Sequence, residues 1–116
     1  MPKQNVASSQ PISELKADLF KALAHPARIR ILEVLADGER SVGELQEPVG
    51  IESSHLSQQL AILRRAGVVT NRREGASVVY GIRDPQLVEL LGVAKRLLIH
   101  SLASTRDLLA DLRGSA

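Results

Sequence analysis

Apolar residues recur at helical spacing from the first third of the chain onward. A first helix is predicted over residues 13–24, with Ser13 as its N-cap, and residues 1–12 before it are predicted to form a disordered arm. Pro26 prevents this helix from continuing through His25, because the residue before a proline avoids the helical conformation. A proline also suits the first turn of a helix, so a second helix begins there.

Two more helices follow in the pattern. Ser41 and Glu44 have the spacing of a capping box and predict a short third helix that ends before Pro48. A second capping cluster lies at residues 52–54. The fourth helix begins after it, and its apolar residues fall on one stripe: Leu56, Leu60 and Leu63.

The spacing then changes to the alternation of β-strands. Residues 68–73 and 77–82 predict two strands joined by a turn, and Val78, Tyr80 and Ile82 share one face of the second strand. A last helix over residues 85–112 begins with an aspartate cap and a proline. Four helices, a β-hairpin and one long helix make a mainly α chain with a hairpin wing, the arrangement of a winged helix-turn-helix domain over residues 13–112.

Composition excludes several classes of function. The chain has no cysteine, which removes disulfides, thiolate metal sites and cysteine nucleophiles. Aromatic residues make up 2% of it, too few for a platform that stacks single-stranded bases.

No phosphate-binding glycine loop, zinc-protease motif or nucleophile elbow is found, so no enzyme is expected. No stretch has the pattern of a signal peptide or membrane span, and we expect a cytoplasmic protein without membrane contact.

Charge is concentrated on the fourth helix and the hairpin. The whole chain carries +2, whereas residues 53–83 carry +4 from five arginines and one glutamate. Arginine pairs with phosphate through its planar guanidinium, so this segment suits a nucleic acid backbone. Arg72 and Arg73 are adjacent on a strand and point to opposite sides, so we expect only one of them to enter the minor groove.

The fourth helix also has a polar face. At 100° per residue, Ser54, Gln58, Ala61 and Arg65 lie opposite the leucine stripe, and His55 and Ser57 lie on the flanks. Serine and glutamine can contact both phosphates and base edges in the major groove. An ordinary solvated helix face has the same composition, so this pattern alone leaves both interpretations open.

Three segments in order resemble the ArsR/SmtB family of bacterial repressors. These are Phe20-Lys-Ala-Leu-Ala-His-Pro-Ala-Arg-Ile-Arg-Ile-Leu32, then Ser54-His-Leu-Ser-Gln-Gln-Leu-Ala-Ile-Leu-Arg-Arg-Ala-Gly-Val-Val69, then Arg72-Arg-Glu-Gly75 before Val79-Tyr80. The resemblance implies a homodimeric repressor that binds an inverted repeat in double-stranded DNA. The predicted DNA contacts are Ser53, Ser54, His55, Ser57, Gln58, Gln59, Arg64, Arg65, Arg72, Arg73 and Gly75.

Apolar positions on the first and last helices predict the dimer interface. The last helix is too long and too apolar to be covered within one chain of 116 residues. We therefore expect two copies to pair through one set of residues: Leu15, Leu19, Leu87, Leu91, Ala94, Leu98 and Leu102.

The family resemblance implies two metal-binding sites. The cysteines of the first are absent from residues 41–47. The second, on the last helix, aligns with Asp84, Gln86, Leu97 and His100, and only the aspartate and the histidine can ligate. We expect no cofactor, with Asp84 as a helix cap. Zinc or nickel held by nitrogen and oxygen ligands is the alternative.

Two further alternatives remain open from the sequence. The winged helix could serve as a protein–protein interaction module, although such a module has no need of the +4 segment. Without a metal effector, the switch would lie in an effector-binding partner protein or in the level of expression.

Overall fold

The computed structural model of the protein describes residues 10–114, in which five helices and three strands are found. The mainly helical order with an antiparallel hairpin confirms the predicted winged-helix arrangement. Residues 1–9 of the predicted arm lie outside the described residues. The elements are α1 (Ile12–Leu23), α2 (Pro26–Leu35), β1 (Arg40–Ser41), α3 (Val42–Val49), α4 (Ser53–Arg65), β2 (Val69–Glu74), β3 (Ser77–Ile82) and α5 (Pro85–Gly114).

The break between the first two helices has a specific cap. His25 is the N-cap of α2, and its Nδ1 accepts a hydrogen bond of 3.1 Å from the backbone N–H of Ala27. Pro26 occupies the first turn as predicted. The predicted cap of α1 is wrong, because α1 begins one residue before Ser13, after Pro11, with no side-chain cap.

The capping box of α3 is confirmed at both of its hydrogen bonds. The Ser41 hydroxyl accepts from the Glu44 backbone N–H at 3.2 Å, and the Glu44 carboxylate accepts from the Ser41 N–H at 2.8 Å. The prediction that α3 ends before Pro48 is wrong. Pro48 lies in the last turn, where it removes one donor from the helix. α3 ends at Val49, and its C-cap is Gly50, whose φ of 75° is the left-handed conformation that glycine adopts without strain.

This capping box should make stability depend on pH. The hydrogen bond from the Ser41 backbone N–H, with a smaller contribution from its side chain, lowers the pKa of Glu44 from its ordinary value of 4.5. The folded pKa lies below the unfolded one, so the contribution is complete above pH 4.5 and is lost as the pH falls through the folded value. As the pH is lowered from 7 to about 3, the free energy of unfolding measured with urea should therefore fall more steeply in the wild type than in Glu44→Gln. Equal slopes would contradict the prediction.

The wing is part of a three-stranded sheet in the order β1-β3-β2. The hairpin strands are antiparallel, with Arg72 opposite Val79 and Arg73 opposite Val78. The short strand β1, which was not predicted, pairs its Arg40 with Tyr80 of β3. The segment between α2 and α3 is thereby hydrogen-bonded to the wing.

The helices and the sheet up to Arg83 form one compact unit, and α5 belongs to a second that begins at Asp84. The first unit has an aliphatic core built from α2, α3, α4 and the sheet. Its fully buried large side chains are Ile31, Leu32, Leu45, Leu56, Leu60, Leu63 and Val69. On β3, Val79 is buried, whereas Val78, Tyr80 and Ile82 are half-buried.

Between residues 10 and 114, no helix combines the length and the apolar character that a membrane crossing requires.

Candidate nucleic-acid interface

The two faces of α4 separate as its sequence pattern predicts. Leu56, Leu60 and Leu63 have no exposed surface, which confirms the leucine stripe as the inner face. On the opposite face, Gln58 and Arg65 are exposed. Burial of three leucines fixes which side of α4 faces the core, so Gln58 and Arg65 on the opposite side remain at the surface.

The first turn of α4 is rich in exposed hydroxyl groups. Ser53, Ser54 and Ser57 are all exposed. The predicted capping by this cluster is wrong, because the N-cap is Glu52 and no side chain there accepts a hydrogen bond from the helix. The serine hydroxyls and the first backbone N–H groups of α4 therefore remain available as donors.

Gln59 differs from the other predicted DNA contacts in its burial. Only 6% of its surface is exposed, and among residues 10–114 it is the one polar residue that is buried. Its Oε1 accepts a hydrogen bond of 2.8 Å from Nε of Arg28 on α2. Gln59 lies on the flank of the leucine stripe that faces α2, and it leaves little surface for contact with a base or a phosphate.

His55 is half-buried and lies beside the start of α2. Its ring meets the ring of His25 edge to face, with 6.0 Å between the centroids and an interplanar angle of 89°. Aromatic rings attract each other in this arrangement. The contact places His55 on the same flank of α4 as Gln59, and its role as a DNA contact stays a prediction.

The two adjacent arginines of the wing differ in their partners. Arg72 donates through Nη2 to Glu39 at 2.7 Å and through Nη1 to Glu74 at 2.6 Å. These hydrogen bonds raise the pKa of Arg72 above its ordinary value, and the bond to Glu39 contributes more than the bond to Glu74. Because Glu39 precedes the +4 segment, counting it lowers the local charge to +3.

Glu39 reaches the wing across a glycine. A Cβ on Gly81 of β3 would lie 3.1 Å from Cγ of Glu39, so only glycine leaves this close approach unhindered. Sequence reasoning missed Glu39, because its partner Arg72 is 33 residues away.

Three other arginines keep their guanidinium groups unoccupied. Within residues 10–114, no hydrogen bond or ion pair engages the guanidinium groups of Arg64, Arg65 or Arg73, and all three residues are exposed. Arg64 and Arg65 lie at the end of α4 and Arg73 lies on β2. Gly75, also exposed, forms the hairpin turn with a φ of 63°. These cations are available to pair with phosphates.

The predicted metal ligands occupy ordinary structural positions. Asp84 caps α5 by accepting a hydrogen bond of 2.9 Å at Oδ1 from the backbone N–H of Gln86. His100 is exposed on α5, and the leucine at position 97 is 66% exposed. In the part of the chain that the structure describes, no group of three or more histidine, aspartate or glutamate side chains could hold a metal ion.

The predicted dimer residues are exposed with two exceptions. Leu15, Leu19, Ala94, Leu98 and Leu102 are exposed, the last of them by 67%. Leu91 is half-buried. Leu87 is buried, with only 8% of its surface exposed, so it has little surface for contact with a second copy. Its place in the dimer interface stays a prediction.

Comparison with known proteins places this fold in a family. Residues 25–71 match the sequence profile described as the bacterial regulatory protein, arsR family. The chain is 56% identical over 111 residues to the HTH-type transcriptional regulator Rv0081 of Mycobacterium tuberculosis (strain ATCC 25618 / H37Rv), covering 93% of this chain and 97% of the relative. The crystal structure of M. tuberculosis Rv0081 superposes with a TM-score of 0.75, over 82% of this chain and 96% of that one.

One further relative is named a repressor, and one further solved structure is described as homodimeric. The biofilm growth-associated repressor of Agrobacterium fabrum is 45% identical over 75 residues, 65% of this chain and 64% of the relative. The solution structure of Mb0332 from Mycobacterium bovis, described as a homodimeric winged helix-turn-helix DNA-binding domain, has a TM-score of 0.73 and 29% identity over 88% of this chain and 94% of that one. The present chain therefore belongs to the ArsR family of bacterial regulatory proteins and is a winged helix-turn-helix transcriptional regulator.

Proposed function

We propose that the protein is a homodimeric repressor that binds an inverted repeat in double-stranded DNA. In each subunit α4 enters the major groove with its exposed face, and the wing contacts the DNA backbone or the minor groove through Arg73. The observation that carries the proposal is the division of α4 into a fully buried leucine stripe and an exposed face with Gln58 and Arg65. The repressor name of the A. fabrum relative supports the direction of regulation.

Dimerisation is the second part of the proposal. Apolar side chains are exposed on α1 and along α5, including Phe20 at 54% and Leu98 at 62%. A second copy would cover such surfaces from water. The homodimeric M. bovis neighbour supports this assembly. Two copies related by a two-fold axis present two copies of α4, so half-sites should lie about 34 Å or a multiple of it apart.

The first test is selection of binding sites from a pool of random duplexes. We expect an inverted repeat to emerge. Gln58→Ala should relax the preference at one base pair of each half-site, by about 1–3 kcal/mol, and leave the salt dependence unchanged. Arg73→Ala should weaken binding to all duplexes and reduce the slope of log K against log salt by about 1 per subunit.

Arg106→Ala, which removes a cation from the exposed surface of α5, is the matched control and should change neither quantity. Absence of duplex binding at low salt would instead favour the protein–protein interaction module. Fluorescence anisotropy with the selected duplex and a scrambled one gives both affinities.

No metal effector is part of this proposal. Asp84 is engaged in capping α5, and position 97 of the aligned pattern holds a leucine, which cannot ligate. An effector-binding partner protein or the level of expression would then set the occupancy of the operator.

A further inference from the structure

Arg28 joins three helices through one guanidinium group. Its Nε donates to Gln59 of α4 at 2.8 Å. Its Nη1 donates to the carbonyl oxygens of Lys21 at 3.2 Å and Ala22 at 3.1 Å, in the last turn of α1. Carbonyl groups in the last turn of a helix lack the donor four residues on, although the Lys21 oxygen also accepts from the backbone N–H of Ala24 at 3.2 Å. Arg28, itself on α2, therefore caps α1 and holds α4.

The contact between His25 and His55 runs beside this hydrogen bond. Arg28 follows the N-cap of α2, His25, by three residues, and His55 and Gln59 are four residues apart on α4, so each pair lies on one side of its helix. Two contacts in a row connect the first turn of α2 with the first two turns of α4. They act on the same part of α4 that carries the exposed serines and Gln58.

We propose that Gln59 is a positioning residue for DNA recognition, which sets the rotation of α4 about its axis through Arg28 without touching DNA. This inference rests on the proposed function of α4. Apolar burial of the leucine stripe is not directional and permits small rotations. A hydrogen bond between a guanidinium Nε and an amide oxygen has one narrow range of distance and angle. The Arg28–Gln59 bond therefore favours the rotation that α4 has in this structure.

Even a small rotation of α4 would move its side chains farther than a hydrogen bond to a base tolerates. Side-chain atoms of a helix lie roughly 5 Å from its axis, so a rotation of about 20° moves them by about 2 Å. A hydrogen bond to a base edge tolerates only a few tenths of an ångström. Gln58 and Gln59 are adjacent, about 100° apart around α4, so fixing the second fixes the direction of the first.

The test compares two substitutions of the same residue. Gln59→Met keeps an unbranched side chain but removes the acceptor, and Gln59→Glu keeps an acceptor for Arg28. We expect Gln59→Met to lower the ratio of operator to scrambled-duplex affinity by about tenfold or more. We expect its salt slope to stay unchanged, because no phosphate contact is lost. Gln59→Glu should keep the wild-type ratio.

Two readouts separate positioning from a general loss of stability. Site selection with Gln59→Met should show altered preference at every base pair read by α4, whereas Gln58→Ala relaxes one. The ¹⁵N–¹H signal of Arg28 Nε should shift in Gln59→Met and stay in place in Gln59→Glu. If Gln59→Met loses its helical circular dichroism, Arg28→Lys, which lacks the Nε donor, takes its place with the same expected loss.

An unchanged affinity ratio in a folded Gln59→Met or Arg28→Lys variant would overturn the inference, and so would loss of the ratio in Gln59→Glu. Failure of the proposed function looks different. In that case the wild type itself prefers no duplex, and the inference falls with it.

Discussion

Leu102→Asp is expected to convert the protein to a monomer and to reduce its affinity for an inverted-repeat operator by roughly 10²-fold or more. Leu102 is 67% exposed and lies on the apolar stripe of α5. An aspartate there would place a charge in the proposed dimer interface, where no partner compensates its loss of water. A monomer binds each half-site independently and loses the gain from binding two at once.

Ala103→Asp is the matched control for this prediction. It introduces the same charge at the next residue, about 100° around α5 and away from the apolar stripe, so dimerisation and operator affinity should remain. Light scattering at micromolar concentration and anisotropy with the operator measure the two effects. A dimer that survives Leu102→Asp would show that α5 does not pair there.

Leu60→Ala is expected to lower the free energy of unfolding by about 2–5 kcal/mol. Leu60 is fully buried at the centre of the leucine stripe of α4, and its truncation would leave a cavity beneath the recognition face. Leu60→Met, which nearly conserves the volume, should cost less than about 1.5 kcal/mol. Urea unfolding at one fixed protein concentration compares the three proteins, because the stability of a dimer depends on concentration. Equal losses in both variants would contradict tight packing at this position.

Periodicity was sufficient to predict the helices, the hairpin and the inner face of α4. Leu56, Leu60 and Leu63 recur at a spacing that only a helix buries on one side, and the structure buries all three. The capping box of Ser41 and Glu44 was equally local. Such features depend on residues within one or two turns of each other, and a single sequence contains that information.

Features that depend on distant partners could not be predicted in this way. Gln59 is the same residue type as the adjacent, exposed Gln58, and its hydrogen-bond partner Arg28 is 31 residues away in the sequence. One signal was present, since at 100° per residue Gln59 lies within about 60° of Leu56. The strand β1 has two residues, too few to show alternation.

The pairing of β1 with β3 should affect the conformational entropy that the wing loses in the proposed binding of DNA. A two-stranded hairpin alone is only marginally stable in water, and a mobile one would lose conformational freedom on contact with DNA. Here Arg40 is paired with Tyr80, and the carboxylate of Glu39 holds Arg72 on the adjacent strand. The base of the wing is therefore held in place without DNA. If the wing contacts DNA as proposed, association should lose conformational entropy mainly at the turn and in the Arg73 side chain.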